Sequence, residues 1–495
     1  MEKERQIRTT NLIDRSKRII EESHLEQIRQ AGIRRDALNY HCTVMYPPLK
    51  AMNKIGEGQI FAPFQNRSKE FTLYVHIPLC SGKCTFCYFC QIEKPTEETV
   101  AAYVDALKKE IELTGKKISG QLGRVNIKSV FFGGGSPTVL SKEQFEDLVA
   151  AIRQQFAVSE GIEITVEIHP EIIRSDSRGL LESYFAAGVN RLNIGVQSFN
   201  DDILLATNRR HTAREGIAVF GLARQIGFDN INIDLLYPLP DLTPEIWERT
   251  LDTAFDLEPE SVTTYFTTIR KPSSMHKLLL ECPERFPDER MNHLFRVMTI
   301  EKAKERGYDH RKLVDWFVKP RRGFHYNHQK SEVRRTEEIQ LLSFGSGVFT
   351  YLNYFQYYNY PDIRKYCEML GEGELPVWRG IELSREERLA RAMVLGIKSG
   401  EVDIDEIGQR FTVDVAEKYG LLLRKLEGLG LLEKTDRSIR LTDKGMLFAD
   451  EVAIQFISEN MRTTMSGRSD LSASERDLIE SYNFMYDING LSFVP

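Results

Sequence analysis

The chain has 495 residues, 41% of them hydrophobic and 28% charged, with a formal net charge of -6. Its length points to two or three domains, its composition excludes a disordered or fibrous protein, and its charge gives no electrostatic reason to expect nucleic acid as a partner. Apolar runs such as Ile217 to Ala223 and Val130 to Phe132 fall far short of the roughly 18 residues that cross a membrane; the charged start MEKERQIRTTNLIDRSKR lacks the apolar stretch of a secretory signal, so a cytoplasmic location is expected.

Residues 1–66 read as an amino-terminal extension, helical around Asp14 to Gly32 and then irregular at the turn-forming Tyr46, Pro47 and Pro48. From Phe71 short apolar runs alternate with amphipathic stretches. FTLYVHI precedes a helix from Glu98 to Thr114, IKSVFF one from Lys142 to Phe156, and IEITVEI one near Ser177 to Ala187. RLNIGV precedes a helix within Asp201 to Ile226 and INIDLLY one from Pro244 to Phe255, before SVTTYFTT. Strands that alternate with helices and are apolar throughout predict parallel pairing in an α/β barrel or open sheet, with about six units over residues 67–320. After a helix from Asp288 to Arg306 comes a connecting region over 321–380, rich in Tyr and Phe from Phe344 to Tyr366. Residues 381–465 read as three amphipathic helices closed by the hairpin GLLEKTDRSIRLTDKG, a winged-helix-like domain. Its acids, among them Glu382, Glu386, Glu387, Glu401, Asp403, Asp405 and Glu406, argue against phosphate contact and for a lid or docking role. Residues 466–495 form a carboxy-terminal tail.

Four of the seven cysteines fall between Cys80 and Cys90. Cys42, Cys282 and Cys367 are scattered and read as small buried hydrophobes. In a long cytosolic chain thiols stay reduced, so a tight group is a metal site rather than a disulfide framework. CSGKCTFCYFC directly follows an apolar strand, with three and then two residues between its first three thiols. Three thiolates can hold one face of an iron-sulfur cube and leave the fourth iron open to an outside ligand. Structural zinc with Cys90 as fourth ligand is the alternative. Glu167, Gln197 and Asp234 are polar residues at or near the ends of apolar strands, where burial is costly unless a core partner or a ligand satisfies them; strand ends of an α/β barrel favour the ligand. Gly133, Gly134 and Gly135 follow a strand and let backbone approach a ligand closely, or make an ordinary turn.

Cys80, Cys84 and Cys87, with Phe86 before the third thiol, resemble the signature of the radical S-adenosylmethionine superfamily. Within it the chain is similar to oxygen-independent coproporphyrinogen III oxidases and their relatives. YVHIPLC, FFGGGSPT, VEIHP, GVQSFN and DLLYPLP occur in the expected order, and the likeness continues through FGSGVFTY over roughly residues 70 to 460. The resemblance implies a partial (β/α)6 barrel with a 4Fe-4S cluster on Cys80, Cys84 and Cys87 at the carboxyl ends of the strands. It implies S-adenosylmethionine as cofactor, in two molecules. Gly134 and Gly135 would lie at its amino group, and Tyr74, Glu167, Arg209, Asp234 and Leu236 would contact the cofactor. Gln197 and Thr268 would touch the second molecule, with Gln197 and Glu167 as the catalytic candidates. An electron from a reductant such as flavodoxin or ferredoxin would pass through the cluster, cleave the sulfonium and release a 5'-deoxyadenosyl radical onto a small-molecule substrate.

Departures from the group narrow the expectation. Phe89 stands where the oxidases carry a further cysteine, which appears instead at Cys90, and Pro238 stands where glycine is usual. NRRH, ending in His211, is similar to the haem-chaperone and methyltransferase branches, and YPPLKAM from Tyr46 to Met52 resembles class C radical methyltransferases, including cyclopropane-forming ones. Together these predict methyl or methylene transfer to an sp2 carbon of an unsaturated or aromatic substrate. The alternatives are an oxygen-independent coproporphyrinogen III oxidase, a haem-degrading relative, and a haem-binding chaperone without turnover.

Overall fold

Each of six main helices starts on a polar side chain that accepts from one of its free backbone N–H groups. In the computed structural model, Thr96 caps Glu97–Leu122 (α1), Ser141 caps Lys142–Gln155 (α2) and Asp176 caps Ser177–Ala186 (α3). Thr212, Thr243 and Asp288 likewise cap Ala213–Ile226 (α4), Pro244–Asp256 (α5) and Glu289–Glu305 (α6). Ser141 and Thr212 complete capping boxes with Gln144 and Glu215. The structure describes residues 11–34, 46–271, 273–320 and 339–466, with 468, 471, 472, 475, 476 and 479. Cys42, residues 321–338 of the expected connecting region and most of the tail lie outside the described residues.

Between the helices run Glu70–Ile77 (β1), Asn126–Gly134 (β2), Ala157–Ile168 (β3), Arg191–Gln197 (β4), Ile231–Tyr237 (β5) and Ser261–Phe266 (β6). They lie side by side in chain order, every pair parallel. Ile339–Phe344 joins β1 in parallel; Phe349–Leu352, Phe355–Asn359 and Val377–Glu382 continue antiparallel from it. The aromatic stretch is thus sheet. On the far side Trp316–Val318 pairs antiparallel with β6. Among the described residues the sheet has thirteen strands and does not close on itself, which makes it a partial (β/α)6 barrel with additions at both edges.

Register explains why the strands look apolar throughout. Tyr74 faces Phe131, Phe131 faces Thr165, Thr165 faces Arg191, and Asn193 faces Asn232 across neighbouring strands. Residues two apart share a face, so these line the concave side together with His76, Gly133, Glu167, Asp234 and Thr263. Phe71, Leu73, Val75, Phe132, Val166, Leu192, Ile194, Ile233 and Val262 occupy the other face and are fully buried. One face is a packed apolar layer and the other is a polar lumen.

Two helices differ from expectation. α1 runs past Thr114 to Leu122 because Gly115 is a packing residue: a Cβ there would lie 2.7 Å from Gln155 Cβ on α2. The single helix expected within Asp201 to Ile226 is two, Asp201–Ala206 and α4, separated by a turn in which Asn208 has φ 54°.

The carboxy-terminal winged-helix-like unit has the expected hairpin, Leu432–Lys434 with Ser438–Leu441, plus a third strand at Glu401–Asp403. Its first helix, Arg385–Lys398, docks on the barrel through buried charge. Lys398 Nζ lies 2.6 Å from Asp450 Oδ1 and 3.9 Å from Asp315 Oδ2, and Asp315 pairs with Arg296 of α6 at 2.9 Å. Arg391 and Arg388 lie 3.8 and 3.9 Å from the ring centroids of Tyr351 and Tyr354. Glu387, counted above as a surface acid, is buried and accepts from Tyr46 Oη at 2.5 Å, Ser458 Oγ at 2.6 Å and Asn460 Nδ2 at 3.2 Å. The amino-terminal extension opens with the expected helix, as Leu12–Glu22 and Leu25–Gln30. Among the described residues no helix is long and apolar enough to cross a membrane.

Candidate active site

The cysteine loop leaves β1 and returns within fourteen residues. Leu79–Cys80 pairs in parallel with Ile92–Glu93, while Ile92 N donates to Pro78 O at 2.8 Å and Lys94 N to Cys80 O at 2.7 Å. This closed neck presents Cys80, Cys84 and Cys87 at the carboxyl ends of the strands. Gly135 runs beneath them: a Cβ there would sit 2.8 Å from Cys80 Sγ and 2.8 Å from Leu79 O. Only glycine allows that approach.

The turn between Asp201–Ala206 and α4 covers the loop from the other side. Thr85 N donates to Thr207 O at 3.1 Å, Asn208 Nδ2 to Lys83 O at 2.6 Å, and Arg210 Nη1 to Ser81 O at 2.9 Å. Arg209 Nη1 donates to Cys84 Sγ at 3.4 Å while its Nη2 reaches Gly195 O on β4. One guanidinium thereby ties a thiol to the sheet. The same backbone brings His211 against Val196 O at 3.1 Å, where burial holds its ring down to about 3.

Burial pushes the Cys80 thiol up to about 12, with the neighbouring thiols adding to it, and the Cys87 thiol up to about 11. Only a bound cation can hold such groups as thiolates at neutral pH. A structural zinc site would take a fourth protein ligand. The three thiols instead rim one opening, with Cys80 and Cys87 meeting the same Gln91 oxygen at 3.3 and 3.6 Å. That donor set, with no further residue drawn onto it, fits a group with one free metal position.

The remaining candidates fall into two sets. Gly134, Gly135, Glu167, Gln197 and Arg209 join the thiols. Gly134 N donates to Glu167 Oε2 at 3.0 Å, and a Cβ on Gly133 would meet that carboxylate at 2.9 Å. Gln197 follows a bulge in β4, where Gly195 faces Asp234 but Gln197 faces Leu235. Its φ is 72°, and its Oε1 is buried with no hydrogen-bond partner. Tyr74 lies in the lumen with its hydroxyl 3.0 Å from His76 Nδ1. Asp234 is deeper and already engaged: Asn232 Nδ2 donates to it at 2.7 Å, and burial raises its carboxyl to about 6 against the pull of Arg191. Leu236 is half-buried on the same face of β5, and Thr268 is buried two residues beyond β6. Gln91 lies outside the quoted motifs, and His76 and Arg210 lie inside YVHIPLC and NRRH without a role of their own. None is a metal-ligand or acid-base signature at its position, and their placement depends on the closed neck and on the distant turn.

Residues 74–254 match the radical SAM superfamily and residues 383–448 the HemN C-terminal domain. The chain is 28% identical over 392 residues to the haem chaperone HemW of Bacillus subtilis, covering 78% of this chain and 99% of that protein. It is 27% identical over 402 residues to the oxygen-independent coproporphyrinogen III oxidase of Escherichia coli, covering 78% and 85%. With that of Bradyrhizobium diazoefficiens it shares 30% over 326 residues, covering 64% and 70%. The crystal structure of coproporphyrinogen III oxidase (HemN) from Escherichia coli superposes with a TM-score of 0.73 at 26% identity, covering 84% of this chain and 96% of that one.

These relatives overturn the expectation of a class C methyltransferase and of methyl or methylene transfer. The physical reason is local. In YPPLKAM, Tyr46, Leu49, Ala51 and Met52 are all fully buried, and the tyrosine serves Glu387 of the carboxy-terminal unit. The motif is packing and carries no information about substrate. The chain belongs to the radical S-adenosylmethionine superfamily, in the group of oxygen-independent coproporphyrinogen III oxidases and HemW-like relatives.

Proposed function

We propose that this protein oxidises the propionate side chains of a coproporphyrinogen with loss of carbon dioxide. The observation that carries the reading is the extent of likeness to the HemN structure, which spans 96% of that chain and so includes the region outside the barrel. As a radical S-adenosylmethionine enzyme the chain uses a 4Fe-4S cluster and S-adenosylmethionine, which together supply a 5'-deoxyadenosyl radical when bound. Cys80, Cys84 and Cys87 would hold the cluster. The exposed Gly134 backbone and Glu167 would receive the cofactor's amino group, and the lumen residues Tyr74 and Asp234 with Leu236 would orient its adenosine end. The unpartnered Gln197 Oε1 and the buried Thr268 support a second S-adenosylmethionine in the opening. A one-electron donor such as flavodoxin or ferredoxin would supply the electron for sulfonium cleavage, the radical would take one hydrogen atom from the propionate, and a one-electron acceptor would take the electron left as carbon dioxide departs.

A haem-binding role without turnover is the second reading. HemW matches over 99% of its own length, and Phe89 occupies the place of the oxidases' extra cysteine. Phe89 is 42% exposed and stacks on Tyr88 with ring centroids 4.7 Å apart, an aromatic platform beside the thiols.

Anaerobic incubation of reconstituted protein with coproporphyrinogen III, S-adenosylmethionine and a reductant separates them. Carbon dioxide and 5'-deoxyadenosine in step with substrate loss are expected. Stoichiometric retention of added haem with no decarboxylation would overturn the first reading in favour of the second.

A further inference from the structure

Gln91 lies just inside the neck of the cysteine loop, next to the Leu79–Cys80 and Ile92–Glu93 pairing, so its backbone is held from both sides. Its Oε1 accepts from the thiols of Cys80 at 3.3 Å and Cys87 at 3.6 Å, while its Nε2 is buried and has no hydrogen-bond partner. A buried amide donor left unmade is costly, and native structures seldom keep one. The pairing also holds only while the sulfurs carry protons. A cysteinate bound to iron has no proton and accepts only, so it would face the amide oxygen as a second acceptor. The carboxamide is nearly symmetric in shape, and a half-turn about its last torsion exchanges oxygen and nitrogen without disturbing its surroundings.

We propose that Gln91 donates its side-chain N–H groups to the cysteinate sulfurs of Cys80 and Cys87 and thereby raises the reduction potential of the cluster. The inference rests on the reading of Cys80, Cys84 and Cys87 as cluster ligands. The half-turn gives the orphaned Nε2 both sulfurs and puts Oε1 in the buried position it leaves, where native structures tolerate an unmade acceptor better than an unmade donor. Cys84 already has a donor in Arg209 and Cys87 one in the Phe89 backbone N–H, so Gln91 supplies the missing donor to Cys80 and a second one to Cys87. Donation to sulfur favours the reduced, more negative cluster, and such bonds are among the determinants of iron-sulfur potentials. Gln91 is a positioning and tuning residue rather than a catalytic one.

An EPR-monitored redox titration of reconstituted full-length protein, without S-adenosylmethionine, tests this in wild type, Gln91→Leu and Gln91→Met. Both replacements keep bulk and remove the donor. The midpoint should fall in both, with the reduced-to-oxidised ratio at fixed potential dropping about tenfold, equivalent to about 59 mV for one electron. Equal midpoints in variants with full iron content would overturn the proposal. Should the variants fail to hold iron, the wild type decides: with glutamine labelled by 15N in its side-chain amide, pulsed EPR of the reduced cluster should show a nitrogen coupling, and its absence would sink the idea. Wild-type protein that reconstitutes without a 4Fe-4S signal points instead to a failure of the cluster reading, and the proposal falls with it.

Discussion

Two regions rich in buried polar groups, the junction with the carboxy-terminal unit and the surroundings of the cysteine loop, use them differently. At the junction between the barrel and the carboxy-terminal unit buried charges face opposite charges or hydrogen-bond partners from the chain itself: Arg296 with Asp315, Lys398 with Asp450, Glu387 with Tyr46, Ser458 and Asn460. Around the cysteine loop Gln197 Oε1, Gln91 Nε2 and Arg209 Nε are buried without hydrogen-bond partners. Desolvation is costly in both settings. Where the protein supplies both partners the groups are structure; beside the thiols, an unmade hydrogen bond leaves room for a partner from outside the chain. Neither burial nor an unmade hydrogen bond marks a functional residue by itself, since Gln356 within the sheet combines both; the combination beside the thiols is what singles out Gln197 and Gln91.

The comparison breaks most completely at the thiols. Alanine at Cys80, Cys84 or Cys87 should abolish the cluster, read as loss of iron and of the visible absorption after anaerobic reconstitution, while Cys90→Ala should keep it. Retention of a full cluster in any of the first three would return that cysteine to the packing residues. At the junction, Lys398→Met removes the cation that lies 2.6 Å from the buried Asp450 carboxylate, which should cost about 3 to 5 kcal/mol in denaturant unfolding. The double variant Lys398→Met with Asp450→Leu should lose less than the single one, and neither should change the affinity for S-adenosylmethionine.

The lumen should respond in affinity instead. Glu167→Ala should weaken S-adenosylmethionine binding by about tenfold or more, the equivalent of roughly 1.5 to 3 kcal/mol for a charge-assisted contact. Asp234→Ala should lose affinity and stability together, because its carboxylate already accepts from Asn232. Equal binding in both variants would place these two carboxylates with the matched groups of the junction.

The smallest effect tests a third kind of site. Glu110 on α1 is buried, accepts from Gly345 N, Asn359 Nδ2 and Tyr366 Oη, and is raised by burial from the ordinary 4.5 to about 7. The folded state therefore holds a proton that the unfolded state releases. This contribution is complete below about pH 4.5 and is lost as the pH rises through 7, at up to about 1.4 kcal/mol per pH unit. Glu110→Gln should flatten that slope in unfolding measurements between pH 5 and 7. An unchanged slope would show that the titrating group lies elsewhere.

What could be read along the chain is what is encoded over short distances. The six strand and helix units follow from local apolar runs and from caps such as Ser141 and Thr212, and the cysteine loop is contiguous, so its thiols are brought together by a turn of fourteen residues. The polar lumen was hidden because inward residues alternate with Val, Ile and Leu, and an apolar average masks a period of two. The methyl-transfer expectation failed for a related reason: YPPLKAM was given chemical meaning when its residues only fill a contact with a segment more than 300 positions away.

By itself the sequence determined the superfamily, the order of the barrel units and the thiol triad, since motif spacing and helix caps act within a few residues. Tertiary structure decided the rest. Arg209 reaches Cys84 across 125 positions, a bulge turns Gln197 into the opening, and Gln91 meets two thiols only because a two-strand neck holds it there. Such contacts arise from packing of distant backbone, where one residue of register decides which side chain faces the ligand and no local pattern records it.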